Sequence, residues 1–159
     1  MLADDKVVIS PGTGHELDVS DFEAKLGCGV STSCAPATEI GMEILRSGGN
    51  AVDAAIAVSY ALGVCQPYGS GIGGGGGMLV YDMAKGSGTF IDYYDAAPRS
   101  FAVASGASCV PGLVRGMERA SQLFGTKDVG ALIQPSIDLA RNGFTVSEKL
   151  ATMISNYVQ

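Results

Sequence analysis

The sequence is short of charge, of histidine and of long apolar runs, and each shortage excludes something. Charged residues make up 16% of the 159, against roughly 25% in an average soluble domain. Hydrophobic residues make up 47%, so this is not the polar, highly charged composition of a disordered chain. The formal net charge is −6, the pI is near 4.6, and no basic cluster occurs. Such a chain repels phosphate backbones, which argues against nucleic acid as a partner. The longest apolar stretch, residues 54–65, falls well short of the ~20 residues of a helical membrane span. The first residues, Met-Leu-Ala-Asp-Asp-Lys, put acids where an export signal carries bases, so the sequence as written has no export signal.

No two of the four cysteines, Cys28, Cys34, Cys65 and Cys109, are spaced as C-x-x-C. A zinc knuckle or a thioredoxin-type motif is therefore not supported. His15, the single histidine, cannot complete a Cys/His metal site or a local triad alone. The cysteines read as small buried hydrophobes, with no disulfide indicated. No metal and no cofactor are expected.

Glycine is in excess. Twenty-three glycines are about 14% of the chain, double the usual ~7%. They do not follow a G-X-Y period, which excludes collagen. The length suits one ordinary domain or one piece of a larger one.

Residues 1–28 read as an N-terminal arm, with a turn at Ser10-Pro-Gly-Thr-Gly14 and a short helix over residues 20–26. From residue 29 the pattern sharpens. Val30-Ser-Thr-Ser-Cys34 is rich in β-branched residues and reads as a strand. Pro36 suits the first turn of a helix. Ile40, Ile44 and Leu45 continue that helix until Gly48-Gly49 stops it. Asn50 with Asp53 three residues on forms a capping-box pattern. The helix that follows, residues 51–64, is apolar on nearly every face and should be buried on more than one side. Residues 67–77 form a glycine-rich loop. Residues 78–82 and 89–93 then read as an antiparallel hairpin turning through residues 85–88, and residues 98–108 as irregular. Pro111 opens a helix that Gly125 ends. Residues 128–142 are helical, with a break expected at Pro135. Gly143 caps, and a helix restarting at Ser147 meets no stop signal before Gln159, so the sequence looks cut.

The loop contains Gly69-Ser-Gly71-Ile-Gly73-Gly74, a match by letters to the dinucleotide pattern, with Asp92 about twenty residues on. Element order opposes that reading. A dinucleotide loop follows a strand and opens a helix; this one follows a helix and opens a strand. Glycines that let backbones pack closely are the plainer explanation.

Several collinear motifs carry a resemblance. Ala37-Thr-Glu-Ile-Gly-Met-Glu-Ile-Leu-Arg-Ser-Gly-Gly-Asn-Ala-Val-Asp-Ala-Ala-Ile-Ala57 resembles the start of the large subunit of γ-glutamyltranspeptidases. Ser70-Gly-Ile-Gly-Gly-Gly-Gly76 followed by Met78-Leu-Val-Tyr is similar to that family's glycine signature and its next strand. Val110-Pro-Gly112 and Gln134-Pro-Ser-Ile-Asp-Leu-Ala-Arg-Asn-Gly-Phe144 resemble its next landmarks. The resemblance runs from about residue 29 to the end. It implies an α+β fold of the N-terminal-nucleophile hydrolase type: part of an αββα sandwich, with helices packed on a mostly antiparallel sheet. Residues 29–159 would be the N-terminal portion of a large subunit. The resemblance also implies a partner small subunit whose N-terminal threonine attacks a γ-glutamyl carbonyl, with its own α-amine as base. The acyl group passes to water or an amino acid, and glutathione is the usual substrate class. No residue here matches the threonine motif, so the 159-residue chain alone should be inactive and could self-associate. The other reading is a non-catalytic paralogue or fragment serving as a structural or binding module. The frame downstream of Gln159 would separate the two.

One departure concerns substrate. The family's Arg-Glu-x-Ala-Pro segment stands here as Tyr94-Asp95-Ala96-Ala97-Pro98. Its arginine pairs with the α-carboxylate of the glutamyl group, and a tyrosine cannot form that bidentate fork. Tyr94, Asp95 and Arg99 are the candidate substrate-binding residues. The stretch from Ser100 to Ser108 is also shorter than the family usually shows.

Overall fold

Pro36 sits in the first turn of helix α1 (Ala35–Arg46), where a missing N–H costs nothing. The computed structural model describes residues 27–97 and 109–157. Helix α1 stops at Arg46, two residues before Gly48, whose φ of +83° is a left-handed conformation that glycine adopts without a Cβ clash. Helix α2 (Ala51–Cys65) carries the capping box read from the sequence. The Asn50 side chain accepts from the N–H groups of Val52 and Asp53, each at 2.9 Å. Asp53 in turn accepts from the Asn50 N–H at 2.9 Å.

The uniformly apolar α2 is the centre of the fold, packing on α1, on α3 (Leu113–Phe124) and on α4 (Val129–Asn142). Ile56, Ala57 and Ala61 are fully buried, and Met117 and Leu132 close over them from α3 and α4. Helix α5 (Glu148–Tyr157) follows, with Leu150 buried.

Strands β1 (Gly77–Asp82) and β2 (Ser87–Asp92) form an antiparallel pair. Met78 pairs with Ile91 and Val80 with Thr89, and this face turns toward the helical core. Leu79 pairs with Phe90 on the opposite face, where both are exposed beside Tyr81. At the turn, the Asp82 carboxylate accepts from the N–H groups of Ala84 and Lys85 and meets the Lys85 ammonium at 2.8 Å. Hydrogen bonding from Lys85 holds the Asp82 carboxyl below its usual range. The described residues are thus α+β, five helices with a two-stranded antiparallel sheet.

Two expected elements are corrected. Residues 30–34 form no strand. Their polar groups serve α1 instead: the Cys34 N–H donates to Thr32 Oγ1 at 3.0 Å, and the Cys34 carbonyl accepts from the Thr38 N–H at 3.0 Å. The break at Pro135 is also absent, and α4 is one helix with the proline inside it. Pro135 cannot donate to the Ala131 carbonyl, but Leu132 is fully buried on α2, and that packing outweighs one lost bond. Helix α3 opens at Leu113, two residues after Pro111. The expected helix over residues 20–26 and the irregular segment 98–108 lie outside the described residues, as does nearly all of the arm. Among the described residues no helix is long and apolar enough to cross a membrane.

Candidate functional site

Three backbone segments meet beyond the open end of the hairpin. Gly76 and Tyr93 exchange N–H···O bonds of 3.2 and 2.9 Å, extending the strand pairing by one step. Ala96 and Val110 form a second bridge, with bonds of 3.2 and 2.8 Å. The Gly74 carbonyl accepts from both Gly112 and Leu113, each at 3.0 Å. It thereby satisfies two N–H groups at the start of α3, donors that have no partner within a helix.

Glycine is what allows this convergence. A Cβ on Gly75 would fall 2.3 Å from the Asp95 nitrogen and 2.6 Å from the Tyr93 carbonyl oxygen. One on Gly112 would fall 2.1 Å from that same oxygen, and one on Gly116 would fall 2.2 Å from Tyr93 Cγ. The glycine-rich run is therefore a backbone clamp around Tyr93. It follows α2 and opens β1, and no helix starts from it, so the dinucleotide reading has no structural basis.

The clamp sets the direction of successive side chains. Tyr93 turns inward, half-buried against the core, and burial pushes its hydroxyl above the usual tyrosine range. Tyr94 turns out and is 68% exposed. Its N–H donates to Asp92 Oδ1 at 3.1 Å, fixing the backbone from which the phenol projects. Asp95 is also exposed. Cys109 stands beside Asp95, and the nearby carboxylate, more than burial, raises the thiol above its usual range. So Tyr94 and Asp95 come together on one exposed rim, while Arg99 lies outside the described residues.

Cys109 is the neighbour that sequence reasoning missed. The expectation that the cysteines are small buried hydrophobes fails for Cys109, which is exposed, as is Cys28; Cys34 is half-buried, and only Cys65 is buried. The pairing of Ala96 with Val110, which brings Cys109 to Asp95, leaves no mark in local sequence. A cavity of about 450 Å³ lies beside the clamp, lined by Pro67, Tyr68, the glycine loop and Leu113, but neither Tyr94 nor Asp95 lines it. The described residues contain no cluster of metal-ligating side chains.

A family model described as Gamma-glutamyltranspeptidase matches residues 37–159. The capsule biosynthesis protein CapD proenzyme of Bacillus anthracis is 48% identical over 122 residues, 77% of this chain and 23% of that protein. The glutathione hydrolase proenzyme of Bacillus subtilis (strain 168) is 41% identical over 146 residues, 80% of this chain and 25% of that protein. Among solved structures, the transpeptidase CapD of Bacillus anthracis superposes with a TM-score of 0.73 at 44% identity, covering 81% of this chain and 43% of that one. The γ-glutamyltranspeptidase of Helicobacter pylori gives 0.72 at 34%, covering 79% and 41%. The chain spans about a quarter of the length of these curated relatives.

Proposed function

The chain belongs to the γ-glutamyltranspeptidase family, and from that premise we propose that it is the large-subunit portion of an enzyme that hydrolyses or transfers γ-glutamyl or related amide acyl groups. The observation that carries this reading is the match over residues 37–159, a span that takes in the clamp and the helices packed around it. The nucleophile is an N-terminal threonine on a small subunit outside this sequence; that two of the relatives are named proenzymes supports such processing. The threonine hydroxyl attacks the acyl carbonyl while its α-amine takes the proton. The amine leaving group departs with a proton, and water or an acceptor amine releases the acyl group.

This chain contributes the rim. Tyr94 takes the place of the family's arginine, and its phenol donates one neutral hydrogen bond where a guanidinium would form a charged fork. A donor whose α-carboxylate is blocked or built into a polymer suits that exchange better than free glutathione. The apolar outer face of the hairpin, with Leu79, Tyr81 and Phe90 exposed, supports the αββα reading, in which a second layer covers it.

The test is turnover by the processed parent protein. It should release the amine from γ-glutamyl amides, and faster from those with a blocked α-carboxylate. An intact parent that forms no acyl-enzyme with either donor overturns the enzymatic reading and favours a non-catalytic module. The isolated 159-residue chain should turn over neither.

A further inference from the structure

Cys34 occupies the N-cap position of α1, and Cys65 is the last residue of α2. The two helices pack together, and the residues flanking the cysteines are joined directly. Ser33 Oγ donates to Gln66 Oε1 at 2.9 Å, and Gln66 Nε2 donates back to the Ser33 carbonyl at 3.0 Å. The Cys34 backbone is held on both sides. Its N–H reaches Thr32 Oγ1 at 3.0 Å, and its carbonyl accepts from Thr32 Oγ1 at 2.8 Å and from the Thr38 N–H at 3.0 Å. Both thiols are free; Cys34 is half-buried, while Cys65 is 1% exposed.

We propose that Cys34 and Cys65 are a dithiol–disulfide pair that, on exchange with a low-molecular-weight disulfide, staples the start of α1 to the end of α2. The two steps balance. The Cys34 thiolate attacks the disulfide RSSR, forming a Cys34–SR mixed disulfide and releasing one RS⁻. The Cys65 sulfur, on losing its proton, attacks Cys34 Sγ and expels the second RS⁻. The net reaction oxidises two protein thiols and reduces RSSR to two RSH. Cys34 is the entry point because it is the more accessible of the two. With both thiols reduced, burial, and then the neighbouring Cys34 thiol, pushes the Cys65 thiol up to about 12. Burial still disfavours the Cys65 thiolate once Cys34 is capped, so the second step speeds up as pH rises.

The pair stands next to the clamp. Helix α2 leads straight from Cys65 into the glycine loop, and a Cβ on Gly63 would meet Gly71 Cα at 3.2 Å. The staple would thus fix the root of the loop that holds Tyr93.

The test uses the folded chain with Cys28→Ser and Cys109→Ser, both at exposed positions. The first change is needed because Cys28 and Cys34 share one tryptic peptide. After oxidation with hydroxyethyl disulfide, the intact mass should fall by two hydrogens. Peptides 26–46 and 47–85 should be found cross-linked, and Tm should rise by about 5 °C or more over the reduced chain. Cys34→Ser should abolish all three changes and leave Cys65 unreactive toward the reagent. A mixed disulfide that persists on Cys34, or a cross-link that forms only in denaturant, would overturn the proposal.

Discussion

Thr126 gives both its N–H and its hydroxyl to the carboxylate of Asp53, which lies 73 positions earlier and is fully buried. Lys127 and Asn50 add two more N–H donors. One carboxylate thus caps α2 and holds the α3–α4 connection onto it. Burial drives the Asp53 carboxyl up, but the Thr126 hydroxyl and the three N–H donors outweigh burial and leave it below its ordinary 3.8.

A depressed carboxyl makes stability depend on pH in a definite direction. The contribution is complete above the unfolded-state value and is lost as pH falls through the lower folded-state value. Asp53→Asn should therefore flatten the decline in urea midpoint below about pH 4. At neutral pH it should cost about 3 kcal/mol, because an amide turns donors toward donors. A wild-type acid limb no steeper than the mutant's would contradict this.

The clamp predicts a contrast among glycines. Gly112→Ala places a methyl group on the Tyr93 carbonyl, which is backbone and cannot rotate away, so about 3 kcal/mol or more of stability should be lost. Gly69 has nothing within 4 Å of its Cβ direction, and Gly69→Ala should stay within about 0.5 kcal/mol. Chemical denaturation of the two variants side by side is the check.

Pro135→Ala restores the N–H that the Ala131 carbonyl lacks. The helix gains that bond, while the unfolded chain gains freedom, so the expected net effect is a stabilisation of about 1–2 kcal/mol. A lower Tm for the variant would mean that the proline ring packs in a way alanine cannot replace.

Tyr94→Arg in the processed parent separates two kinds of donor. A donor with a free α-carboxylate should bind tighter, by roughly 1–2 kcal/mol, the gap between neutral and charge-assisted bonds. A donor with that group blocked should bind more weakly, because the new cation is left unpaired. KM values for the two donors in wild type and variant give both signs. No change in either would remove Tyr94 from the pocket.

How much of this was legible follows sequence distance. The Asn50–Asp53 capping box, the uniformly apolar α2 and the hairpin are written in spacings of a few residues; the first two formed where their patterns placed them, while the hairpin turns at residues 83–86, two residues before the expected 85–88, because Ser87 and Gly88 join the second strand. Residues 30–34 had β-branched composition but no partner strand among the described residues, so tertiary context decided against a strand. Pro135 carried a local breaking signal that packing on α2 overrode. Thr126 gives no hint of Asp53, because only the folded chain brings positions 73 apart together. Tyr94 and Asp95 could be located by resemblance, whereas their outward direction depends on Tyr93 taking the inward place, which is a matter of register.

The exposed Leu79, Tyr81 and Phe90 form one apolar face of the hairpin, which favours self-association of the 159-residue chain. Light scattering should show dimers or larger species, and Leu79→Ser with Phe90→Ser should shift them toward monomer. A wild-type chain that stays monomeric at high concentration would count against this.

The clamp around Tyr93 is built from main-chain atoms and absent side chains. Gly75, Gly112 and Gly116 contribute by having nothing to contribute, and the bonds that close the clamp, Gly76 with Tyr93 and Gly74 with Gly112 and Leu113, run between peptide groups. The side chains of Tyr94 and Asp95 project from this frame without holding it together. Mutation at positions 94 and 95 can therefore explore new ligands while the fold stays the same. In that sense the rim is evolvable and the frame beneath it is not.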